Sequence, residues 1–277
     1  MATLQTLRKR LKSIQATADM ASALRTASSV KYARISRELA NIEVYSKVCD
    51  DTLALFGGDV FKRSAKEIKP RNCLVVFTNS RGFCGGFNSE ILKFFESCYL
   101  QESEQPLLLV FGQKGIALCQ TNAWDFEEMS FREIPSYADA EVLTKKIFDI
   151  YASGEADRIE FIYQRFDNMM RQTPTRDVML PHPQKDDSPD AREMLFLPDM
   201  ETAVYAPSMY CLTNSVYRIM LGHCAGIQAA TTIAMRNACD NAEESIAKLE
   251  TLINRIRQAE VTNSVIETSS FLAGHFE

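Results

Sequence analysis

The residues best placed to do chemistry form one run, Thr78-Asn-Ser-Arg-Gly-Phe-Cys-Gly-Gly-Phe-Asn88, directly after the apolar stretch Cys73-Leu-Val-Val-Phe77. A strand that feeds a helix through a glycine turn can hold phosphate on its backbone amides and on the positive end of the helix dipole. The spacing is neither the dinucleotide fingerprint nor a P-loop, which needs a Gly-Lys-Ser/Thr step. The preferred reading is therefore a tight turn that packs Gly85 and Gly86 against a sheet. The alternative is an α/β enzyme with a coiled-coil dimerisation arm, holding a nucleotide on the amides of residues 82–86.

No nucleophile elbow, paired-acid motif or metal-binding helix motif occurs, which argues against an enzyme in its own right. His182, His223 and His275 are too scattered to form a ligand set, so neither a metal nor a cofactor is expected. The eight cysteines include no closely spaced pair, and reduced, buried thiols in a cytosolic compartment are expected.

The elements that would position the turn alternate in type. Strand patterns at 73–78, 107–111 and 158–166 are separated by a helical pattern after Asn88 and another near 138–152, and Gly112-Gln-Lys-Gly115 reads as a second turn. A further strand is expected at 175–180. The proline-rich and acidic stretch 181–198 reads as an exposed loop with a short strand at Met194–Leu197. This alternation predicts a small, largely parallel sheet covered by helices, a Rossmann-like α/β domain over 70–200.

Both chain ends read differently. All nine prolines fall between Pro70 and Pro207, and no glycine precedes Gly57. Leu4, Leu7, Leu11, Ile14, Ala18 and Ala21 recur in steps of three and four, as do Ala242, Ile246, Leu249, Ile253 and Ile256. This is the seam spacing of helices wound on each other. A helix over 1–57, ending at Gly57-Gly58, and one over 206–274, with Pro207 in its first turn, are expected to pair as a long antiparallel coiled coil that brackets the α/β insert. Some sixty helical residues reach on the order of 90 Å. A two-helix rod buries only its seam, which would leave Leu24, Val30, Leu39, Ile42, Ile219, Ile233 and Leu252 exposed unless a partner covers them.

Charge is divided along the chain. Residues 1–37 carry eight basic side chains against Asp19 alone, which leaves −12 on the rest of a chain whose net charge is −5. A solvated surface and a basic arm for nucleic acid are both open readings of this run. Without an aromatic stacking platform or a known reader motif, acidic loops of a protein partner fit better, and no nucleic-acid partner is expected. No apolar run approaches the roughly 20 residues that span a bilayer, and the start lacks the apolar block of a secretory signal.

These residues carry a resemblance. Thr78–Asn88 is similar to the glycine-rich signature of the gamma subunit of rotary F-type ATP synthase, and Arg8, Ser13-Ile14, Thr17, Ala23-Leu24 and Lys31 resemble its N-terminal helix. Gly112–Gly115 and Tyr163–Phe166 agree in the centre; Ala229-Ala230, Ala234-Met235, Asp240-Asn241, Asn254 and Arg257-Gln-Ala259 agree in the last helix. The chain departs from the family at Ala16, Asp19 and Ala21, at Gly226-Ile-Gln-Ala-Ala-Thr-Thr232 where the family has Ser-Glu-x-Ala-Ala-Arg-Met, and at Ser264, Thr268 and Ser269. It is identified as a divergent bacterial member.

The resemblance implies a non-catalytic central rotor shaft that couples proton-driven rotation to ATP synthesis or hydrolysis in a surrounding ring of alpha and beta subunits. The implied neighbours at its foot are the epsilon subunit and the membrane rotor ring of c subunits, on the cytoplasmic face of the bacterial cell membrane. Arg8, Lys12, Arg25, Lys31, Arg236 and Arg257 would then face acidic loops of the ring, and Leu24 and Gln258 occupy positions that contact it in the family. Ile246→Asp places an unpaired charge in the expected seam and should lower the thermal unfolding midpoint and impair assembly with the ring.

Overall fold

The computed structural model describes residues 4–60, 71–181 and 200–273; the strand expected at Met194–Leu197 lies outside them. In chain order the elements are α1 (Leu4–Val60), β1 (Asn72–Phe77), α2 (Phe87–Leu100), β2 (Leu107–Phe111), α3 (Gln113–Thr121), β3 (Glu127–Met129), α4 (Tyr137–Ala152), β4 (Arg158–Asn168), β5 (Arg171–Leu180) and α5 (Met200–Ala273). They divide into two compact units, one comprising Ser28–Thr231 and the other Met1–Ala27 with Thr232–Glu277.

The larger unit is built on a five-stranded sheet of order β3-β2-β1-β4-β5. β1 runs parallel to β2 and β4, β2 parallel to β3, and β5 antiparallel to β4. Side chains alternate across the strands. Leu74 and Val76 of β1 join Leu108 and Val110 of β2 on the face covered by α2 and α3, through Ile91, Phe95, Ile116 and Cys119. Cys73, Val75 and Phe77 point the other way, toward Leu143 and Ile147 of α4 and the stretches of α1 and α5 that belong to this unit. From Cys211 to Ala225, α5 is buried almost all round. Ser136 caps α4 through a reciprocal pair with Asp139, the Ser136 amide donating to Oδ2 at 2.8 Å.

The smaller unit holds the seam read from the sequence. Leu4, Leu11, Ile14 and Ala18 are half-buried and Leu7 and Ala21 buried; Ile246, Leu249 and Ile256 are half-buried around a buried Ile253. Ala21 packs with Met235 and Cys239, flanked by Leu24, Ala234 and Ala238. The helices run antiparallel there, since Cys239 lies 3.8 Å from the Ala18 carbonyl while Leu24 reaches back to the level of Ala234.

Several expectations are corrected. Ile42 and Ile219 are not exposed but lie in the core of the larger unit, whereas Val30 at 67% and Leu252 at 43% do face solvent. α1 carries through Gly57 and Gly58 to Val60, and α5 starts at Met200, which puts Pro207 inside the helix and not in its first turn. β5 begins four residues before Thr175, with Pro174 tolerated because β5 is an edge strand.

Gly112-Gln-Lys-Gly115 is not a turn but the start of α3, and its glycines answer to Thr78. Gly112 has φ of 89°, and a Cβ there would fall 2.2 Å from the Thr78 carbonyl oxygen. The Gly115 amide donates to Thr78 Oγ1 at 2.9 Å. Gly112→Ala should therefore cost at least about 2 kcal/mol in chemical denaturation. Gly82→Ala, with nothing within 4 Å of the added carbon, should stay within about 0.5 kcal/mol of the parent.

Candidate functional site

After β1 the chain moves to β2 and β3 on one side of the sheet, then to β4 and β5 on the other. The place where an open α/β sheet takes a ligand is the crevice where strand order reverses, at the carboxyl ends of the central strands. Here that crevice lies between β1 and β4, and the chain fills it with its own side chains. The parallel ladder ends at Val76 opposite Ile162. Two residues further on, the Gln164 amide donates to Nδ1 of His223 on α5 at 3.2 Å, and Gln164 Nε2 donates to the Phe87 carbonyl at 3.2 Å.

The imidazole lies 6.0 Å from the Phe77 ring and 5.4 Å from the Phe87 ring, centroid to centroid. It is 1% exposed. Burial drives its pKa down to about 3, opposed by the Thr78 backbone beside it. Because Nδ1 accepts a hydrogen bond, the ring proton sits on Nε2. Among the described residues Gln164 Oε1 has no hydrogen-bonding partner. One turn along α5, Gly226 allows close approach: a Cβ would stand 3.1 Å from the Phe87 ring and 3.2 Å from Gln172.

The glycine-rich turn is closed on itself. Asn79 Oδ1 accepts from the Arg81 amide at 3.2 Å, and Asn88 Nδ2 donates to the Arg81 carbonyl at 2.9 Å. Gly85 is required for its φ of 58°. The expected packing of Gly85 and Gly86 against the sheet is not what forms. A Cβ added to Gly86 would stand 3.1 Å from the Glu90 carboxylate, and Phe87 is the residue that turns inward. Glu90 brings a negative charge to the first turn of α2, where a bound anion would otherwise be favoured.

A cavity of about 890 Å³ lies among Leu39 of α1, Arg218 and Ile219 of α5, and Tyr163, Arg165 and Arg176 of the sheet. Its arginines are paired within the chain, while the lining carboxylate of Glu43 is exposed. Arg218 meets Asp50 at 3.3 Å, Arg165 meets Asp167 at 3.1 Å, and Arg176 bridges Glu102 and Glu160. Tyr163 donates to Asp177 at 2.6 Å. Among the described residues, no group of three or more His, Cys, Asp or Glu could hold a metal ion. All eight cysteines are buried and unbridged.

The expected contact residues are not gathered into one site. Arg8, Lys12, Arg236, Arg257 and Gln258 are exposed in the smaller unit, and Arg8 and Lys12 share a helix face at a spacing of four. Arg25 is half-buried and falls on the seam register, four residues after Ala21. Leu24 packs in the seam cluster. Lys31, in the larger unit, is bound to Glu133 at 2.5 Å, and Arg81 reaches the same carboxylate at 3.2 Å. The hydrogen bond from Lys31 holds the Glu133 carboxyl below its ordinary range. His223 and Gln164 escaped the sequence reading. The signal was there in Gly222-His-Cys-Ala-Gly226, a lone imidazole between two glycines in an otherwise apolar helix.

A family model described as ATP synthase matches residues 3–270. The ATP synthase gamma chain of Rubrobacter xylanophilus is 26% identical over 282 residues, covering 98% of this chain and 97% of that one. The ATP synthase gamma chain of Desulforamulus reducens is 28% identical over 279 residues, covering 96% and 97%. A chain of the Euglena gracilis mitochondrial ATP synthase superposes with a TM-score of 0.69 at 14% identity, covering 98% of this chain and 94% of that one. A chain of the Tetrahymena thermophila mitochondrial ATP synthase central stalk and c-ring gives 0.60 at 20% identity, covering 79% and 99%. At these identities the structural likeness speaks for the fold.

The burial of neutral His223 sets a pH dependence. An exposed imidazole in the unfolded chain takes up its proton near 6.5, whereas the folded one waits until about 3. Stability from this group is therefore complete above 6.5 and lost as pH falls toward 3, with a slope of up to about 1.4 kcal/mol per pH unit. Denaturation midpoints measured across that window should fall with acid in the parent chain and fall less in His223→Phe.

Proposed function

The chain belongs to the ATP synthase family, and from that membership we propose that it serves as the non-catalytic central rotor shaft of an F-type ATP synthase. The observation that carries this reading is the match of one family model from residue 3 to residue 270, long helices and sheet together. The shaft turns inside a ring of alpha and beta subunits, presenting a different surface to each catalytic subunit in turn, and differential contact shifts each site between conformations. Chemistry stays in the ring. The foot of the shaft meets the epsilon subunit and the membrane rotor ring of c subunits, at the cytoplasmic face of the bacterial membrane. Among the described residues no helix is long and apolar enough to cross a membrane, so attachment runs through these partners.

Residues 1–57 and 206–274 supply the coiled coil and 70–200 the α/β domain. Arg8, Lys12, Arg236 and Arg257 supply exposed cations for acidic loops of the ring, and Gln258 an adjacent polar contact. Leu24 and Arg25 act at the seam of the smaller unit, and Lys31 of the larger unit exchanges Glu133 for a ring carboxylate. The smaller unit also exposes Met20, Leu252, Val261, Val265 and Ile266. Covering one such side chain fully is worth about 1.5–3 kcal/mol, which gives the ring an apolar grip on the shaft.

The competing nucleotide-enzyme reading holds its ligand on the amides of residues 82–86; Glu90 puts a negative charge in the first turn of the helix that follows them, and His223 and Phe87 fill the crevice between β1 and β4. Co-expression with alpha and beta subunits is the test. The chain should co-purify with them and should hydrolyse no ATP alone; micromolar nucleotide binding by the isolated chain, with no association with the ring, would overturn the proposal. In the assembled complex, Arg8→Glu combined with Lys12→Glu should weaken association by about 1–2 kcal/mol, read as a shift in the dissociation constant, with the loss shrinking at high salt.

A further inference from the structure

His223 holds a place in the sheet's own hydrogen-bond pattern. The ladder between β1 and β4 ends at Val76 opposite Ile162, and beyond it the strands part. Gln164 is completely buried there, so its amide would be an orphaned donor in the core. The acceptor comes from a helix: His223 Nδ1 takes the Gln164 amide at 3.2 Å. The same ring stands between Phe77 of β1 and Phe87 at the head of α2, beside the Thr78 backbone. One side chain of α5 thus touches β1, β4 and α2.

Of the two glycines that bracket it, Gly226 sets the depth of the helix. Gly222 lies near Phe166 of β4, and Gly226 lies against Phe87 and Gln172 of β5. A side chain at Gly226 would crowd Phe87 and Gln172, its Cβ falling 3.1 and 3.2 Å from them, and would push α5 away and withdraw the ring from Gln164, whereas a Cβ at Gly222 would stand at an ordinary 3.9 Å from Phe166. An apolar residue in place of His223 could fill the volume but could not accept the amide.

We propose that His223 is a positioning residue that locks α5 to the sheet, standing in for the ladder bond that β1 and β4 lose where they part, so that the α/β body turns with the helix. The lock is a property of the chain by itself; its part in turning rests on the rotor reading.

Two variants and two readouts test it. His223→Phe keeps the ring volume and removes the acceptor, whereas His223→Asn puts Oδ1 close to where Nδ1 stands. In the purified chain, hydrogen exchange at the Gln164 amide should quicken by about tenfold relative to Ile162 in the Phe variant and return toward the parent rate in the Asn variant. Equal protection in all three chains, or an Asn variant no better than Phe, would overturn the lock. Should the Phe variant fail to fold, the imidazole nitrogen shifts of the parent chain decide. A neutral ring with its proton on Nε2 supports the proposal, and a proton on Nδ1 or a charged ring at neutral pH refutes it. In the complex assembled with alpha, beta and membrane subunits, protons pumped per ATP hydrolysed should drop in the Phe variant and recover in the Asn variant. Unchanged coupling would overturn the role in turning. A parent chain that never assembles would sink the rotor reading and leave the exchange result to judge the lock.

Discussion

Every side chain of β1 from Cys73 to Phe77 is withdrawn from water, so the sheet must be covered on both faces. One cover is local, supplied by α2 and α3 a few residues downstream. The other is supplied by α4 and by stretches of α1 and α5 that lie far away in sequence. The sheet cannot be completed without the chain's two ends. This is why the larger compact unit runs from Ser28 to Thr231 and draws on both long helices. Within it α5 is a central helix buried almost all round, whereas Thr232 onward it needs only the narrow seam of a two-helix pair. One helix therefore meets two packing regimes.

That change of regime decides what could be read from the sequence. The seam of the smaller unit was legible to the residue, because two helices that bury only each other leave a three-four spacing with little else to blur it. Leu7, Ala21 and Ile253 are buried where that spacing puts them. Ile42 and Ile219 were misread because a seam template has no place for a sheet pressed against the helix. β1, β2 and β4 were legible as short apolar runs, whereas the three-residue β3, Glu-Glu-Met with both glutamates exposed, has no such run and went unread. α3 was hidden by glycines at 112 and 115, which weaken a helix locally but are needed by Thr78. The start of β5 was hidden by its half-exposed, non-alternating edge character. The two glycines flanking His223 marked it locally, but its role was hidden because its partner lies 59 positions away.

The two units also differ in how they settle their charges. In the larger one, arginines find carboxylates within the chain, as Arg176 does with Glu102 and Glu160, and the switch-point crevice is filled by the chain itself. In the smaller one, Arg8, Lys12, Arg236 and Arg257 stay exposed beside uncovered valines and isoleucines. The larger unit also exposes Val44, Tyr45 and Val48 of α1, so apolar surface open to a partner is found on both units and the contrast between them lies in their charges.

The thiols extend this contrast. All eight cysteines are inside, and burial pushes Cys73, Cys211 and Cys224 up to about 12 and Cys119 up to about 11. Thiolate is the reactive form, so at neutral pH these sulfurs offer little to a maleimide or an iodoacetamide. A single cysteine introduced on the exposed flank of either long helix would stand almost alone as a handle for a fluorophore, a gold bead or a spin label, with the native sulfurs left in place.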